Sequence, residues 1–202
     1  CLGPRLSTDA SIGVALAPKD GTELDQLIKH ADLAMYAAKA EGRRIHRFFE
    51  PAMDARAKAR LTMEQDLRQA LADGGFDIHY QPLLDLANSE VTGCEALVRW
   101  RHPQRGMISP ADFIPLAEDT GLINQLGEWV LTSACKEAAT WPHNIRLAVN
   151  VLPVQFRSGT LALKVMAALA AAGLAASRLE LEITEAVLIR DDEAALAVLH
   201  DL

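Results

Sequence analysis

Cysteine is scarce in this sequence. Only Cys1, Cys94 and Cys135 occur in 202 residues, an odd count with no CxxC pair. That excludes a disulfide framework and a structural zinc site, and it points to a reducing compartment. Positive charge is also in short supply. Lys and Arg number 20 against 27 Asp and Glu, for a net charge of -7, so the chain lacks the electrostatic footprint of a duplex nucleic-acid binder. No long apolar run is present. The longest, "MAALAAAGLAA" from Met166, is too short and too rich in alanine to span a bilayer, and no signal peptide is visible. A cytoplasmic location is therefore expected. The first residue is Cys1 rather than methionine, so the sequence reads as a piece of a longer chain, whose missing N-terminal segments leave room for a membrane anchor. What is present is ample apolar material: half the residues are hydrophobic, enough for one or two domains with a sizeable core.

Along the chain the pattern changes once. "STDASIGVALAP" (7–18) has the β-favouring Ile12 and Val14 and stops at Pro18, which predicts a strand. Asp20, Gly21 and Thr22 offer turn and N-cap chemistry. Leu24, Leu27, Ile28, Ala31, Met35 and Ala38 then recur at helical spacing, with Gly42 placed to end the helix. "RRIHRFF" predicts a short strand. From Glu50 the composition turns charged and alanine-rich, predicting one long helix through to Ala72 and a domain boundary near residues 50–60.

Gly74 and Gly75 close that helix. "FDIHYQPLLDL" and "EVTGCEALVRWRHP" flank a turn at Asn88 and predict a hairpin. Ser109 as N-cap with Pro110 at the first helical position is a strong helix start. A second amphipathic helix is predicted over 123–141, a strand at "IRLAVNVL", a helix over 161–172 closed by Gly173, a strand at "RLELEIT", and a further helix at "DDEAALAVLHDL". From Pro110 onward strand and helix alternate, which argues for parallel strands with crossover helices.

Three predicted strands carry acidic or amide residues: Glu95 in the first, Asn150 in "LAVNV", Glu182 with Glu185 in "LELEITE". In α/β barrels polar residues at strand C-termini gather around one site, and oxygen ligands of this kind suit Mg²⁺ or Mn²⁺. Arg99 lies four residues after Glu95, an even step that puts both side chains on one face. A carboxylate for metal and a guanidinium for phosphate on one face suit a phosphodiester. Spacing alone leaves other readings open. A strand glutamate is commonly solvated or paired with a cation such as Arg99. Asn150 could be a hydrogen-bonded turn amide, and Glu180 with Glu182 could mark the wet face of an edge strand.

An ordered set of motifs goes further. "YQP" at Tyr80, "EALVRWRHP" at Glu95, "SPADFIPLAEDTGLI" at Ser109, "WVL" at Trp129, "VNV" at Val149 and "LELEITE" at Leu179 make residues 61–202 similar to the EAL family of cyclic di-GMP phosphodiesterases. The first fifty residues resemble the C-terminal part of a GGDEF diguanylate cyclase domain, through "SIGVALAPKDG", "ADLAMYAAKAEGR" and "HRFF". The organisation implied is a GGDEF remnant over 1–50, a connecting helix over 51–60 and the N-terminal part of an EAL domain over 61–202. The fold class is α/β, an incomplete TIM-like (β/α) barrel with an antiparallel first strand.

The resemblance implies metal-dependent hydrolysis of cyclic di-GMP to pGpG with Mg²⁺ or Mn²⁺ as cofactor. By it, Glu95, Asn150 and Glu182 are metal ligands, Arg99 binds a substrate phosphate and Gln81 contacts a guanine. Glu185 matches the family's anchor for a loop near the second metal, and Glu95, Glu182 and Glu185 are the catalytic carboxylates. Lys39 and Arg43 fall on positions that contact nucleotide phosphates in GGDEF domains, although Arg44 stands where that family usually has Asn. Without the resemblance Lys39 and Arg43 would pass as cations favoured at a helix C-terminus. A homodimer through the EAL domain is also implied. The paired aspartates, the water-orienting lysine and the final glutamate of the family find no counterpart before Leu202, so these 202 residues alone are expected to be inactive. The competing expectation is a non-catalytic cyclic di-GMP receptor or interaction module. His79 and His102 are expected to be structural.

Overall fold

The structure is a computed structural model that describes residues 9–156 and 159–183. The chain divides into two compact units, Cys1–Met63 and Glu64–Leu202, and each is taken by itself below.

In the first unit, β1 (Ile12–Val14) and β2 (His46–Phe48) pair in parallel and α1 (Leu24–Ala40) connects them. Gly13 is where strand and helix meet: a Cβ there would lie 1.9 Å from the carbonyl oxygen of Ala31. Helix α1 starts later than the Asp20–Thr22 turn suggests. Its N-cap is Glu23, which makes no side-chain capping bond. Asp20 works a turn upstream, where its carboxylate accepts the Leu16 N–H at 2.8 Å and its carbonyl accepts from His30 Nδ1 at 2.5 Å. The His30 ring stacks on Phe49 at 3.8 Å, above a small core of Ala34, Phe49 and Met53. Past α1, Arg43 and Arg44 both take left-handed backbone, at φ 61° and 60°. Helix α2 (Pro51–Asp73) opens on a proline, which loses nothing at a first helical position. Asp54 on its first turn pairs with Lys29 at 3.0 Å and Lys58 at 2.8 Å. The division between the units falls within this helix.

The second unit is built on a sheet in the order β3-β4-β6-β7. β3 (Phe76–Leu84) and β4 (Val91–His102) form the antiparallel hairpin, and β5 (Gly106–Ile108) adds to the far end of β4. The hairpin turn is held by its own polar side chains: Asp85 accepts the Ala87 N–H and Asn88 accepts the Glu90 N–H, the usual service of Asx residues in turns. β4, β6 (Arg146–Val151) and β7 (Leu179–Ile183) run parallel. Among the described residues the sheet does not close into a barrel; it is the α/β sheet of an incomplete one.

Among the described residues four α-helices follow β5, α3 (Pro110–Asp119), α4 (Ile123–Ala138), the four-residue α5 (Pro153–Phe156) and α6 (Leu161–Ala172). Ser109 caps α3 by accepting the Ala111 N–H at 3.3 Å. Gly173, left-handed at φ 66°, closes α6, as glycine commonly does. Alternation decides what faces the helices. Phe76, Ala96, Trp100, Leu147, Val149 and Val151 project from one side of the sheet and are buried. Trp100 and Phe113 are fully enclosed. Removing side chains of this kind from water stabilises by about 1.5–3 kcal/mol each.

His102 is structural, as expected. Its Nδ1 accepts the N–H groups of Gln104 and Arg105, both at 3.2 Å, and its Nε2 faces Asp66 at 3.1 Å. Arg178, only 8% exposed, precedes β7 and donates to the Ala138 carbonyl at 2.9 Å and to the Ile145 carbonyl at 2.9 and 3.0 Å. It binds the carbonyl end of α4, where a cation is favoured, to the loop that enters β6. Among the described residues no helix is long and apolar enough to cross a membrane.

Candidate metal and phosphate site

The other face of the sheet carries the polar residues. Gln81 on β3 is the register partner of Glu95 on β4, and Asn150 on β6 is the partner of Glu182 on β7. Glu95 pairs with Ala148, two residues before Asn150, so period-two alternation puts all four side chains on one face. The amide of Asn150 donates to Glu95 Oε1 at 2.6 Å. Residues 55 positions apart in sequence thus meet across adjacent strands.

The carboxylates of this row sense one another. Desolvation raises the Glu182 carboxyl above its ordinary value even though the residue as a whole is exposed, and the charges of Glu95 and Glu180 push the same way. Two acids gathered on one face with an amide is an arrangement that a divalent ion would relieve, and carboxylate and amide oxygens are the hard donors that Mg²⁺ and Mn²⁺ take. Among the described residues no group of three His, Cys, Asp or Glu side chains is placed to hold a metal. The set here is smaller, two glutamates plus an asparagine.

Arg99 lies on the same strand face as Glu95. Glu95 takes its hydrogen bond from Asn150 rather than from Arg99, whose Nη1 donates to the carbonyl of Val98 at 2.9 Å. Glu180 is the glutamate held by a cation, pairing with Arg146. Arg99 and Asn150 share the wall of a cavity of about 240 Å³. Apolar side chains make up most of that wall, including Leu97, Ile114 and Leu126, and Gln155 completes it near Asn150. His79, also expected to be structural, is exposed on the polar face.

Glu185 lies outside the described residues, as does the helix expected at "DDEAALAVLHDL". Lys39 and Arg43 belong to the first unit. Lys39 sits over the Tyr36 ring at 5.7 Å in the last turn of α1, and Arg43 follows in its left-handed turn with its N–H on the Ala38 carbonyl at 3.1 Å. Sequence reasoning missed Leu97, Gly127 and Gln155 on the cavity wall. Of these only Leu97 had a visible signal, an even step from Glu95 and Arg99.

The chain is similar to known proteins. The family model described as "EAL domain" matches residues 64–202, more than half of the chain, and that of "Diguanylate cyclase, GGDEF domain" matches residues 3–45. An uncharacterized signaling protein of Caulobacter vibrioides is 48% identical over 200 residues, covering 99% of this chain and 25% of its own length. The bifunctional diguanylate cyclase/cyclic di-GMP phosphodiesterase MucR of Pseudomonas aeruginosa is 45% identical over 197 residues, covering 96% of this chain and 29% of the relative. Among solved structures, the PaMucR phosphodiesterase in complex with c-di-GMP superposes with a TM-score of 0.67 at 43% identity, over 69% of this chain and 58% of that one. The chain therefore spans between a quarter and a third of the length of these curated relatives.

Proposed function

This chain belongs to the EAL domain family, and from that membership we propose that its second unit contributes to the divalent-cation-dependent hydrolysis of one phosphodiester bond of cyclic di-GMP, giving linear pGpG. The observation that carries the reading is the convergence of Glu95, Asn150 and Glu182 on one sheet face, with the Asn150 amide 2.6 Å from Glu95, beside a cavity walled by Arg99. Glu95, Glu182 and Asn150 would hold the cation, Mg²⁺ or Mn²⁺, the Asn150 amide turning its oxygen inward in place of the N–H that it gives Glu95. Such an ion, when bound, supplies Lewis-acid polarisation of a phosphoryl oxygen and lowers the pKa of a water.

The chain's own residues do the rest. The Arg99 guanidinium neutralises a phosphate oxygen and can trade its bond to the Val98 carbonyl for one to the ligand. Gln81, beside Glu95 in the register, offers an amide to the edge of a guanine. No protein nucleophile is called for, since neither cysteine of the described residues is primed for attack: burial raises the thiol of Cys94 and pushes that of Cys135 up to about 11. Glu185 is assigned to anchoring a loop beside the site, Lys39 and Arg43 to nucleotide phosphate in the first unit, and the EAL domain to a homodimer contact. The competing reading, a receptor that binds without cutting, is disfavoured by the presence of Glu95, Asn150 and Glu182, the ligand residues expected in this part of the domain.

Calorimetry separates the two. Cyclic di-GMP should bind the wild-type chain more tightly with Mg²⁺ than with EDTA, and Glu95→Ala should erase that difference while leaving the circular dichroism spectrum unchanged. Equal affinity with and without Mg²⁺ in the wild type would favour the receptor.

A further inference from the structure

We propose that Gln155 is a positioning residue for Asn150, and that position 127 is glycine in order to admit it. The inference rests on the reading of Asn150 as a cation ligand. Between β6 and α5 stands one residue, Leu152. Its N–H donates to Gln155 Oε1 at 2.9 Å, and the Gln155 N–H donates to the Leu152 carbonyl at 2.9 Å. Residue 155 is thus tied to residue 152 through side chain and main chain together. This is half of a capping box, in which the third helical residue reaches back to the N–H just before the helix. Leu152 has no side-chain oxygen to make the other half, so Gln155 holds the strand-to-helix corner from one side only. Asn150 lies two residues before that corner, at the exposed end of its strand.

The second observation is in α4. Gly127 lies in the helix interior, where glycine costs about 1 kcal/mol relative to alanine. A Cβ at that position would lie 2.0 Å from Gln155 Nε2 and 3.0 Å from its Cδ. The bare backbone of α4 is therefore the seat of the Gln155 amide. Gly127, Gln155, Asn150 and Arg99 line one cavity. A methyl at 127 moves the amide, the amide releases the Leu152 N–H, and the last residues of β6 lose the restraint that aims Asn150 at Glu95. Groups that orient a ligand without touching the ion commonly weigh tenfold or more in affinity.

Three variants of the 202-residue chain test this by ¹⁵N NMR. Gln155→Leu keeps the shape and loses the acceptor. Gln155→Glu keeps the acceptor. Gly127→Ala displaces the amide. Exchange of the Leu152 N–H with solvent reports the corner without any ligand, and Mn²⁺ broadening of the Asn150 side-chain amide reports the site. Gln155→Leu and Gly127→Ala should each speed Leu152 exchange about tenfold or more and raise the Mn²⁺ midpoint about tenfold. Gln155→Glu should keep slow exchange and a midpoint no higher than the wild type's. A folded Gln155→Leu with unchanged exchange and midpoint overturns the proposal. Should that variant not fold, an unchanged midpoint in folded Gly127→Ala overturns it equally. A wild-type chain whose Asn150 amide ignores Mn²⁺ refutes the cation reading, and Leu152 exchange then still decides whether Gln155 holds the corner.

Discussion

Arg99 and Tyr80 sit on opposite faces of the same hairpin and invite opposite tests. Among the described residues the Arg99 guanidinium donates to the carbonyl of its chain neighbour Val98 at 2.9 Å, so its removal costs the fold little. Arg99→Ala should weaken cyclic di-GMP binding by about 1.5–3 kcal/mol, the size of a hydrogen bond to a charged group, with melting temperature nearly unchanged. An unaltered affinity in a titration would take Arg99 out of the site. Tyr80 faces inward, edge-on to Trp141 at 5.0 Å. Burial pushes its phenol from 10 up to about 12, and the charge of Glu137 adds to that. Because the folded value is the higher, the stabilisation is complete below pH 10 and is lost as pH rises from about 10 to 12. Tyr80→Phe should flatten that decline in urea unfolding measured at pH 9 and 11; parallel declines in both proteins would refute the burial of the phenol. Glu95 and Arg99 were legible from sequence because period two is enough to put them on one face. Gly127 was not, since a glycine inside a helical pattern reads as a weak point until Gln155 is seen opposite it.

At the scale of elements, the long and strongly patterned segments were readable and the short ones were not. The hairpin, α3 with its Ser109 cap and the α6 stop at Gly173 follow from local chemistry. β5 has three residues and α5 has four, too few for any period to show, and both exist through neighbours: β5 through the end of β4, α5 through the bond from Leu152 to Gln155. The expected helix over 123–141 ends at Ala138, and Thr140 and Trp141 continue only as turns, bonded to the carbonyls of Glu137 and Ala138. Two substitutions probe elements directly. Ser109→Ala should cost about 1 kcal/mol by uncapping α3, read by chemical denaturation; no change would mean that the cap is redundant with Pro110. Gly13→Ala is the harsher one. The new methyl meets backbone atoms of Ala31 and Met35 rather than a flexible side chain, so β1 must leave α1, with a loss of about 3 kcal/mol or more. A melting temperature equal to wild type would show that strand and helix are not in contact there.

For the whole molecule, the proposed ligands among the described residues are two carboxylates and one amide, and the chain covers 58% of the solved PaMucR phosphodiesterase chain. A two-cation hydrolysis asks for more oxygen donors than these. The purified 202 residues should therefore yield no detectable pGpG from cyclic di-GMP and Mn²⁺ by chromatography, and turnover like that of a complete relative would show that the missing donors are supplied by residues of this chain not described above. Arg178 carries a consequence of another sort. Trypsin must draw an arginine side chain into its own pocket before it can cut. The guanidinium of Arg178 is committed to the Ala138 and Ile145 carbonyls, so the bond between Arg178 and Leu179 is cleavable only in molecules that have already released the end of α4. The rate at which that one peptide bond is nicked in native buffer is a clock for the opening of the second unit, readable by mass spectrometry without a dye or a denaturant.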